Sequence, residues 1–520
     1  MNAWWGLNQK NSRLLTRVEA FFSQSAGSAF LVGGYLRDCI LGRTPEDIDL
    51  AISSDALITA PALAEFINGH FVVLDSKNHI ARIVLPEDYQ PASTVKHLDI
   101  NTIRDDILYD LARRDFTINA MALPIEKAND LVPGATVPEL IDPYQGIDAI
   151  SRRTISAVSP QVFKNDGIRL LRCVRLSQEL GFKIDGDTLS LLKENSDCIR
   201  GIAGERVREE LLRLFKIDNT GDVIIQLDKL GILEGIIPEL IPCKTTQQPK
   251  EHHWDVFGHS VKCIDAVDYL LRKGNWPYAA SDARKIAPWN NHIQNYFEYP
   301  VAVDSNRRQI LKIAALLHDI AKPDTRTITE DGRIRFYGHP AHGEPITQSI
   351  LTRLRFSIKE TRMAAGMTLH HLRPVQMNQK GQLPTSRAIY RYLRDTGDIA
   401  IDTLFLSLAD HLAARGPTLE AGFWAEHCRI ADMVIGKKEA MEESTKAPSL
   451  INGHDLLDNF NLAPGPIIRA ILEAVAEAQA VGDITTRGEA LKLVGEIIGS
   501  KDLPMVDNRD YRQGKGIIKP

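Results

Sequence analysis

Two kinds of hydrophobic pattern divide the chain. Up to about residue 150, short apolar runs end at Gly, Pro or Asp, as expected for strands; these runs are AFLVGG, DIDLAI, HFVVLD, ARIVLP and VKHLDI. From about Asn165 onward, apolar residues recur every three or four positions, as in DGIRLLRCVRLSQELGF and GERVREELLRLF. That spacing is typical of amphipathic helices. The pattern predicts an α+β head followed by a long all-α body.

The length of the chain indicates several domains. At 520 residues it exceeds what one hydrophobic core usually supports. Polar, proline-containing stretches such as CKTTQQPKEHH and MEESTKAPS favour domain joints. We therefore predict an N-terminal extension (1–27), the head (28–158), a helical neck (159–245), a second helical domain (246–440), C-terminal helices (441–500) and a tail (501–520).

Composition narrows the class of protein. With 44% hydrophobic and 25% charged residues, the chain is ordinarily globular. A formal net charge of -5 argues against nonspecific coating of nucleic acid, although a local basic stripe is enough to contact RNA phosphates. The six cysteines lack CxxC spacing, which disfavours a zinc ribbon or a disulfide framework. Without a leader pattern or an apolar run of about 18 residues, we expect a soluble cytoplasmic protein.

The strand pattern EDIDLAI carries two acidic residues on one face. Side chains alternate along a strand, so Asp47 and Asp49 point the same way while Ile48 and Leu50 point into the core. Two close carboxylates repel unless a divalent cation lies between them, and Mg²⁺ favours carboxylates together with substrate phosphates. The pattern predicts a magnesium site; the alternative is an exposed strand end.

A glycine pair precedes this strand. Gly33 and Gly34 follow the run FLV and let backbone amides approach an anion at the start of the next helix. Arg37 and Asp38 lie one turn into that helix. Together with the paired aspartates, this turn predicts a site for a nucleoside triphosphate and its metals.

Two further motifs follow in the head. LARRDFTINAMAL places basic and polar residues ahead of a predicted apolar helix, where they would contact a ribose or cap the helix; these residues are Arg113, Arg114, Asp115, Thr117 and Asn119. IDPYQGIDAI supplies an Asp-Pro turn and Gly146.

The order of these motifs is specific. GGxxRDxxxGxxxxDID, RRDFTINAM, DPxxGxxD and DxxRxxRxxR resemble the class II tRNA nucleotidyltransferase and bacterial poly(A) polymerase family of the polymerase-β superfamily, over residues 28 to 215. The resemblance implies a nucleotidyltransferase head with a small mixed sheet, acting on tRNA with CTP and ATP. It also implies that Asp47 and Asp49 hold two Mg²⁺ ions, one lowering the pKa of the RNA 3′-hydroxyl and one steadying the triphosphate. Asp99 in KHLDINTIR would be the third acidic residue, with Arg104 nearby.

The neck carries a pair suited to reading a base. Asp166 and Arg169 are i and i+3 on a predicted helix, so they would be neighbours on its surface. A carboxylate accepts hydrogen bonds and a guanidinium donates them. Cytosine and adenine present an amino donor beside a ring-nitrogen acceptor, whereas uracil and guanine present the opposite order. The pair therefore favours C and A, as the resemblance also implies; a plain surface ion pair is the alternative. Asn165 stands where the family usually has Glu.

The sequence determines the roles of other residues in the neck less closely. Arg172 and Arg175 continue the spacing of Arg169, and they would either contact RNA phosphates or solvate the helix. The motif with Glu205, Arg206 and Arg208 resembles a structural neck helix. The segment NTIRDDILYDLA is shorter than the flexible segment that many family members use to switch from C to A addition. A CC-adding or A-adding specialist, or a poly(A) polymerase, therefore remains open beside full CCA addition.

The helical body contains an ordered series of histidines and aspartates that resembles the HD phosphohydrolase superfamily. The series implies one or two divalent metals, Ni, Mn, Fe or Mg, that activate water. The implied ligands of the first metal are His259, His318, Asp319 and Asp410, and those of the second are His339 and His371, with His342 and His370 as weaker candidates. A purely structural HD fold is the alternative. His454 and Asp455 indicate a helix entry instead.

These inferences lead to one expected function. We expect a template-independent tRNA nucleotidyltransferase that adds C and A, fused to an HD domain with metal-dependent phosphohydrolase activity. The helical body would recognise tRNA by its shape and backbone. A phosphohydrolase whose head only senses nucleotide is the alternative from another class.

Overall fold

The computed structural model describes residues 2–24, 27–86, 95–131, 138–249, 253–278, 283–377, 382–444 and 448–499. They form two compact units. The first runs to Ile217 and includes Asp222–Pro238, so it contains the predicted head and most of the predicted neck; the second comprises Asp218–Gly221 and the chain from Glu239 onward. The predicted tail, 501–520, lies outside the described residues.

The strands of the first unit are β1 (Ala29–Val32), β2 (Asp47–Ile52), β3 (His70–Asp75), β4 (Ile80–Val84), β5 (His97–Thr102), β6 (Ala122–Pro124), β7 (Thr154–Ile155) and β8 (Lys183–Ile184). The first six form one sheet in the order β3-β4-β5-β2-β1-β6. β2 and β5 run parallel, and the other neighbours are antiparallel. The prediction of an α+β head with a small mixed sheet is therefore confirmed.

The helices up to Pro238 are α1 (Asn2–Ser23), α2 (Gly34–Ile40), α3 (Ala56–Ile67), α4 (Ile107–Ala112), α5 (Gly146–Ser151), α6 (Val162–Asn165), α7 (Ile168–Leu180), α8 (Gly186–Glu194), α9 (Gly204–Lys216), α10 (Thr220–Lys229) and α11 (Ile232–Ile236). α3 packs on β3, β4 and β5, and α7 packs on α9. The neck thus presents two helices in contact, as the three- and four-residue spacing of its apolar residues predicts.

The alternation along β2 separates the core from the functional face. Ile48 and Leu50 are fully buried, and Leu98 and Ile100 of β5 are buried beside them. Because side chains alternate along each strand, the acidic residues of β2 and β5 share the opposite face of the sheet.

The apolar helix predicted after Asp115 is wrong. Residues Thr117–Asn119 form a single 3₁₀ turn, and the apolar run that follows becomes β6. β6 pairs with the outer edge of β1, with Leu31 opposite Leu123. A short apolar run has no intrinsic preference strong enough to override this pairing, so tertiary context decides its conformation.

The second unit is predominantly helical, as predicted. Its helices are α12 (Val256–Leu270), α13 (Ala283–Ile286), α14 (Asn291–Glu298), α15 (Arg307–Leu317), α16 (Lys322–Thr325), α17 (His339–Arg353), α18 (Ile358–His370), α19 (Arg373–Gln376), α20 (Ser386–Thr396), α21 (Ala400–Arg415), α22 (Ala421–Ser444), α23 (Gly453–Phe460), α24 (Pro466–Val481) and α25 (Arg487–Gly499). Its short strands are β9 (Pro300–Ala302), β10 (Ser305–Asn306), β11 (Arg326–Ile328) and β12 (Ile334–Phe336). Among the described helices, none has both the length and the apolar character needed to cross a membrane.

The second unit contains a central bundle and a smaller C-terminal cluster. α12, α15, α18 and α21 pack against one another in the bundle. α23, α24 and α25 share a separate apolar core that includes Leu456, Ile471 and Val475. Asn452 caps α23 in a reciprocal arrangement with Asp455, so the His454-Asp455 pair marks a helix entry, as the sequence indicates.

Candidate functional sites

The paired aspartates of β2 meet a third carboxylate on the neighbouring strand. The parallel register places Asp49 beside Asp99 and Asp47 beside His97. All four side chains project from the face opposite the buried Ile48 and Leu50. The sheet therefore gathers three acidic groups where the sequence predicts metal binding.

Two neighbours that the sequence analysis missed orient these carboxylates. The Nε2 atom of His97 lies 3.0 Å from the Oδ1 atom of Asp47. Arg82 of β4 donates two hydrogen bonds to Asp99, at 2.7 and 2.8 Å. Both contacts depend on strand register, which no local sequence signal reveals.

Burial and charge affect the two β2 aspartates differently. Burial alone would raise the pKa of Asp47, but the hydrogen bond and charge of His97 and the charge of Arg213 hold it below its ordinary value. Burial raises the pKa of Asp49 to about 6 despite the charge of Arg114, and the nearby negative charge of Asp99 adds to this rise. The site thus holds a carboxyl group that gains strongly from a compensating cation.

The glycine turn touches Asp49 directly. Gly33 has φ +72, and a Cβ atom there would lie 2.5 Å from Asp49 Oδ2 and 3.0 Å from an Arg114 nitrogen. The backbone N–H of Gly34 donates to the Asp49 carboxylate. The glycine pair therefore brings a backbone amide to the same carboxylate face; its contact with a triphosphate stays a prediction.

A chain of polar contacts leads from α2 toward the neck. Arg37 pairs with Asp38 at 2.9 Å and donates to the Oδ1 atom of Asn119 at 2.8 Å. Asn119 donates to the Oδ1 atom of Asp115 at 3.0 Å, and Arg172 of α7 donates to the other oxygen of Asp115 at 3.0 Å. The motif residues predicted to surround the nucleotide thus fix one another.

Asp115 is buried and ionised within this chain of contacts. Burial alone would raise its pKa, but Arg172 and Asn119 lower that pKa to about 2.

The other predicted arginines of the head have partners on neighbouring residues. Arg113 lies near the Tyr109 ring, and Arg114 pairs with Asp110 at 3.0 Å. Arg104 donates to Asn78 at 3.3 Å.

Arg172 and Arg175 are both occupied inside the protein. Their Nε atoms donate to the two oxygens of Glu210 on α9, at 3.0 and 2.7 Å. Arg175 also pairs with Glu179 at 2.5 Å and is only 8% exposed. In this conformation the two side chains join α7 to α9. The alternative that they solvate the outer face of the helix is wrong for the buried Arg175, and contact with RNA phosphates stays a prediction.

The predicted placement of Asp166 on a helix is wrong. α7 begins at Ile168 after Gly167, and Asp166 has extended backbone angles in the connection before it. The Asp166 carboxylate accepts two hydrogen bonds from Arg206 of α9, at 3.0 and 2.8 Å.

Arg169 is held by main-chain groups rather than by Asp166. Its Nη2 atom donates to the carbonyl of Arg113 at 2.7 Å, and its Nη1 atom lies 3.4 Å from the carbonyls of Arg114 and Val162. The two members of the predicted base-reading pair are thus oriented by separate partners.

The HD residues of the second unit come together as the sequence predicts. His259 lies 3.0 Å from Asp410 and 3.4 Å from Asp319, and His318 lies 3.2 Å from Asp319. On the other side, His339 lies 3.2 Å from the second oxygen of Asp319. His371 completes this side, with its Nε2 atom 3.3 Å from that of His339.

Three overlapping groups of side chains could each hold an ion, and Asp319 belongs to two of them. One group is His259, His318 and Asp319, another is Asp319, His339 and His371, and a third combines His318, His371 and Asp410. The weaker candidates His342 and His370 belong to none of these groups among the described residues. Imidazoles and carboxylates at this spacing suit first-row divalent metals.

Helix ends and main-chain contacts aim the imidazoles. The Nδ1 atoms of His318, His339 and His371 lie 2.9, 2.9 and 2.7 Å from main-chain carbonyls of Ala315, Phe336 and Thr368. This contact turns each Nε2 atom inward, as carbonyls bonded to the far nitrogen of metal-bound histidines do. Burial and the charge of His318 lower the pKa of His371 to about 3, so its imidazole is neutral and able to bind a metal at neutral pH.

A cavity of about 310 Å³ opens onto this centre. Lys322, Arg335 and Arg415 line it together with four of the candidate ligands, Asp319, His339, His371 and Asp410. Lys322 lies 2.6 Å from the Oδ2 atom of Asp319. Three cations beside a candidate metal centre suit an anionic ligand such as a phosphoester.

The fold and the two sites together define a nucleotidyltransferase head joined to an HD domain. Family models match in three segments: "Poly A polymerase head domain" at residues 29–156, "Probable RNA and SrmB- binding site of polymerase A" at 181–244 and "HD domain" at 280–415. Solved structures of the same fold include a CCA-adding enzyme in complex with ATP, with a TM-score of 0.60 at 21% identity. That alignment covers 94% of this chain and 96% of the other.

Similar proteins cover nearly the whole chain. An A-adding tRNA nucleotidyltransferase of Deinococcus radiodurans is 31% identical over 90% of this chain and 94% of its own length. A CC-adding tRNA nucleotidyltransferase of Thermus thermophilus is 30% identical over 89% of this chain and 92% of its own. The chain belongs to the tRNA nucleotidyltransferase family.

Proposed function

We propose that this protein extends the 3′ end of tRNA without a template, using CTP and ATP. The observation that carries the proposal is the row of Asp47, Asp49 and Asp99 beside the Gly33-Gly34 turn. Relatives of nearly full length are named A-adding and CC-adding tRNA nucleotidyltransferases, which supports tRNA as the acceptor. The six free cysteines support the reducing, cytoplasmic location predicted from the sequence.

The donor set of β2 fits Mg²⁺. Asp47 and Asp49 share one face, and burial raises the pKa of Asp49 despite the charge of Arg114, so its carboxylate would gain from a bound cation. When bound, the metal supplies activation of the 3′-hydroxyl and charge neutralisation of the triphosphate. His97 orients Asp47, and the Gly34 amide holds Asp49, so the protein presents both carboxylates in fixed positions.

Selection of the base would rest on Asp166 and Arg169. Arg169 donates and Asp166 accepts, which matches the donor and acceptor order of cytosine and adenine. The ribose and phosphates would lie toward Asp115, Asn119, Arg37 and Asp38, whose contacts lead from Arg172 of α7 to α2. Arg113 and Arg114 follow at the edge of the same region.

A second candidate is a specialist that adds only C or only A. Residues 103–112 separate β5 from Arg113, and α4 occupies most of them. Asp106 caps α4 through a 2.7 Å hydrogen bond from the Tyr109 amide, and Leu111 is fully buried. A segment this short and folded has little freedom to rearrange the pocket between two bases, which favours a single specificity.

We also propose a metal-dependent phosphohydrolase activity for the HD domain. The inward-facing Nε2 atoms, the central Asp319 and the cationic cavity support it. Ni, Mn, Fe and Mg all remain compatible with this donor set. The test is hydrolysis of p-nitrophenyl phosphate and bis(p-nitrophenyl) phosphate by protein stripped of metal and reloaded with each ion. Activity that returns with a metal and is lost in His318→Ala supports the proposal, and no activity with any ion contradicts it.

The test of nucleotide addition uses tRNA transcripts that end at the discriminator base, at C or at CC. Each transcript is incubated with one nucleotide at a time. Full CCA addition predicts extension at every step. A CC-adding specialist stops after the second C, and an A-adding specialist extends only the transcript ending in CC. Extension of unrelated RNA by long runs of A would favour a poly(A) polymerase.

A further inference from the structure

The base-reading pair needs more than the right residue types. Cytosine and uracil differ in the order of donor and acceptor along one edge, so a carboxylate and a guanidinium free to exchange places would read both bases. Selectivity therefore requires that each group stay at a fixed position relative to the other. Arg169 meets this requirement through its main-chain carbonyl partners.

We infer that Arg206 is the positioning residue that fixes Asp166 for base selection. This inference rests on the proposed function. Two nitrogens of Arg206 bind the two oxygens of Asp166, at 3.0 and 2.8 Å. A guanidinium that binds both oxygens sets the plane of the carboxylate as well as its position. The outward lone pairs of Asp166 are then aimed in one direction and accept from the amino group of the base.

The helix that carries Arg206 is itself anchored. Glu210 lies one turn further along α9 and binds both Arg172 and Arg175 of α7. Residues at i and i+4 project from the same helix face, so this anchor and Arg206 point toward α7 together. Glu210 is almost fully buried and Arg206 is half-exposed. A rigid ion-pair cluster thus supports the group that holds Asp166.

A matched control exists in the same unit. Arg200 is 50% exposed against 48% for Arg206, and it also forms ion pairs through more than one nitrogen. Its partners are Asp197 and Glu234, which are not part of the nucleotide site. Arg200→Ala therefore removes an equivalent surface ion pair without touching Asp166.

The experiment measures kcat/KM for CTP and UTP, and for ATP and GTP, with Arg206→Ala, Arg206→Lys and Arg200→Ala. We expect Arg206→Ala to lower the preference for the correct base by about tenfold or more, mainly through a higher KM for the correct nucleotide. Arg206→Lys keeps the charge but loses the fork, so it should recover only part of that preference. Arg200→Ala should match the unaltered protein.

A double-mutant cycle tests the route of the effect. If Arg206 acts through Asp166, Arg206→Ala should cause no further loss of selectivity in the Asp166→Ala background. Thermal unfolding of each variant checks that the fold is retained.

One result would overturn the inference while leaving the proposed function intact: unchanged selectivity of Arg206→Ala in a protein that itself selects C or A. If the KM for the correct nucleotide also falls in that variant, Arg206 only blocks Asp166. If the unaltered protein adds no nucleotide, or adds all four equally, the proposed function fails instead.

Discussion

Asp49 of β2 and Asp99 of β5 lie side by side in the parallel register, yet they have different partners. Asp99 is bound through both oxygens to Arg82, whereas Asp49 receives the Gly34 amide and faces the Gly33 turn. Of these two carboxylates, Asp49 faces the glycine turn and has no arginine bound to both of its oxygens. This asymmetry favours Asp49 over Asp99 as a partner of Asp47 in the proposed metal site.

Removing either β2 carboxylate should abolish nucleotide addition. We expect Asp47→Asn and Asp49→Asn each to lower kcat by about a thousandfold or more, because the metal that would neutralise the transition-state charge is no longer held. The assay is addition of labelled CMP to a tRNA transcript. Asp130→Asn, an exposed carboxylate of the same unit, is the control and should retain full activity. Activity of Asp49→Asn within tenfold of the unaltered protein would contradict the assignment.

The raised pKa of Asp49 predicts a dependence on pH. Its folded-state pKa of about 6 exceeds the ordinary value of 3.8. Protonation of Asp49 therefore stabilises the folded, metal-free protein, and this stabilisation is lost as the pH rises through about 6. A metal must displace that proton. The Mg²⁺ concentration for half-maximal addition should therefore rise about tenfold per pH unit below 6. A half-maximal concentration that stays constant between about pH 5 and 7 would refute this.

Gly33 should be irreplaceable for a reason beyond backbone strain. Gly33→Ala places a methyl group against Asp49, whereas Gly181, with φ +67, has open space around its Cβ position. Gly181→Ala should lower the free energy of unfolding by about 1–2 kcal/mol, and Gly33→Ala should lower it by at least as much. Only Gly33→Ala should also reduce nucleotide addition, by about a hundredfold, because it displaces Asp49. Denaturant unfolding and the CMP-addition assay separate the two effects, and equal activities would rule out the steric argument.

The nucleotidyltransferase site and the candidate HD metal centre should be separable by mutation. His318→Ala removes an imidazole shared by two of the candidate metal groups, so metal content and phosphoester hydrolysis should both fall to background while CMP addition persists. His342→Ala alters an exposed histidine outside these groups and serves as the control. Metal analysis after dialysis gives a readout independent of hydrolysis. Full metal occupancy in His318→Ala would argue against this centre.

Local sequence patterns predicted the helices and strands better than they predicted the contacts between side chains. The alternation in DIDLAI identified the shared face of Asp47 and Asp49 because strand periodicity is local. The partners Arg82 and His97 depend on which strands pair and in what register, and nothing in their own neighbourhood indicates this.

The neck shows the same limit at a helix boundary. The spacing of Asp166 and Arg169 is compatible with one helix, but Gly167 starts the helix after Asp166. Terminal residues of helices are the least predictable from pattern alone. The clustering of the HD residues was predictable because a series of histidines and aspartates in this order is unusual in a helical region. In contrast, Arg172 and Arg175 gave no local sign of their buried partner Glu210.

Selective addition of C and A is tested by sequencing the 3′ ends made on tRNA that stops at the discriminator base, with CTP, ATP, UTP and GTP supplied together. We expect that only C and A are added, that Asp47→Ala adds nothing, and that Asp166→Ala or Arg169→Ala admits U and G. Incorporation of U or G by the unaltered protein at rates comparable to C and A would contradict it.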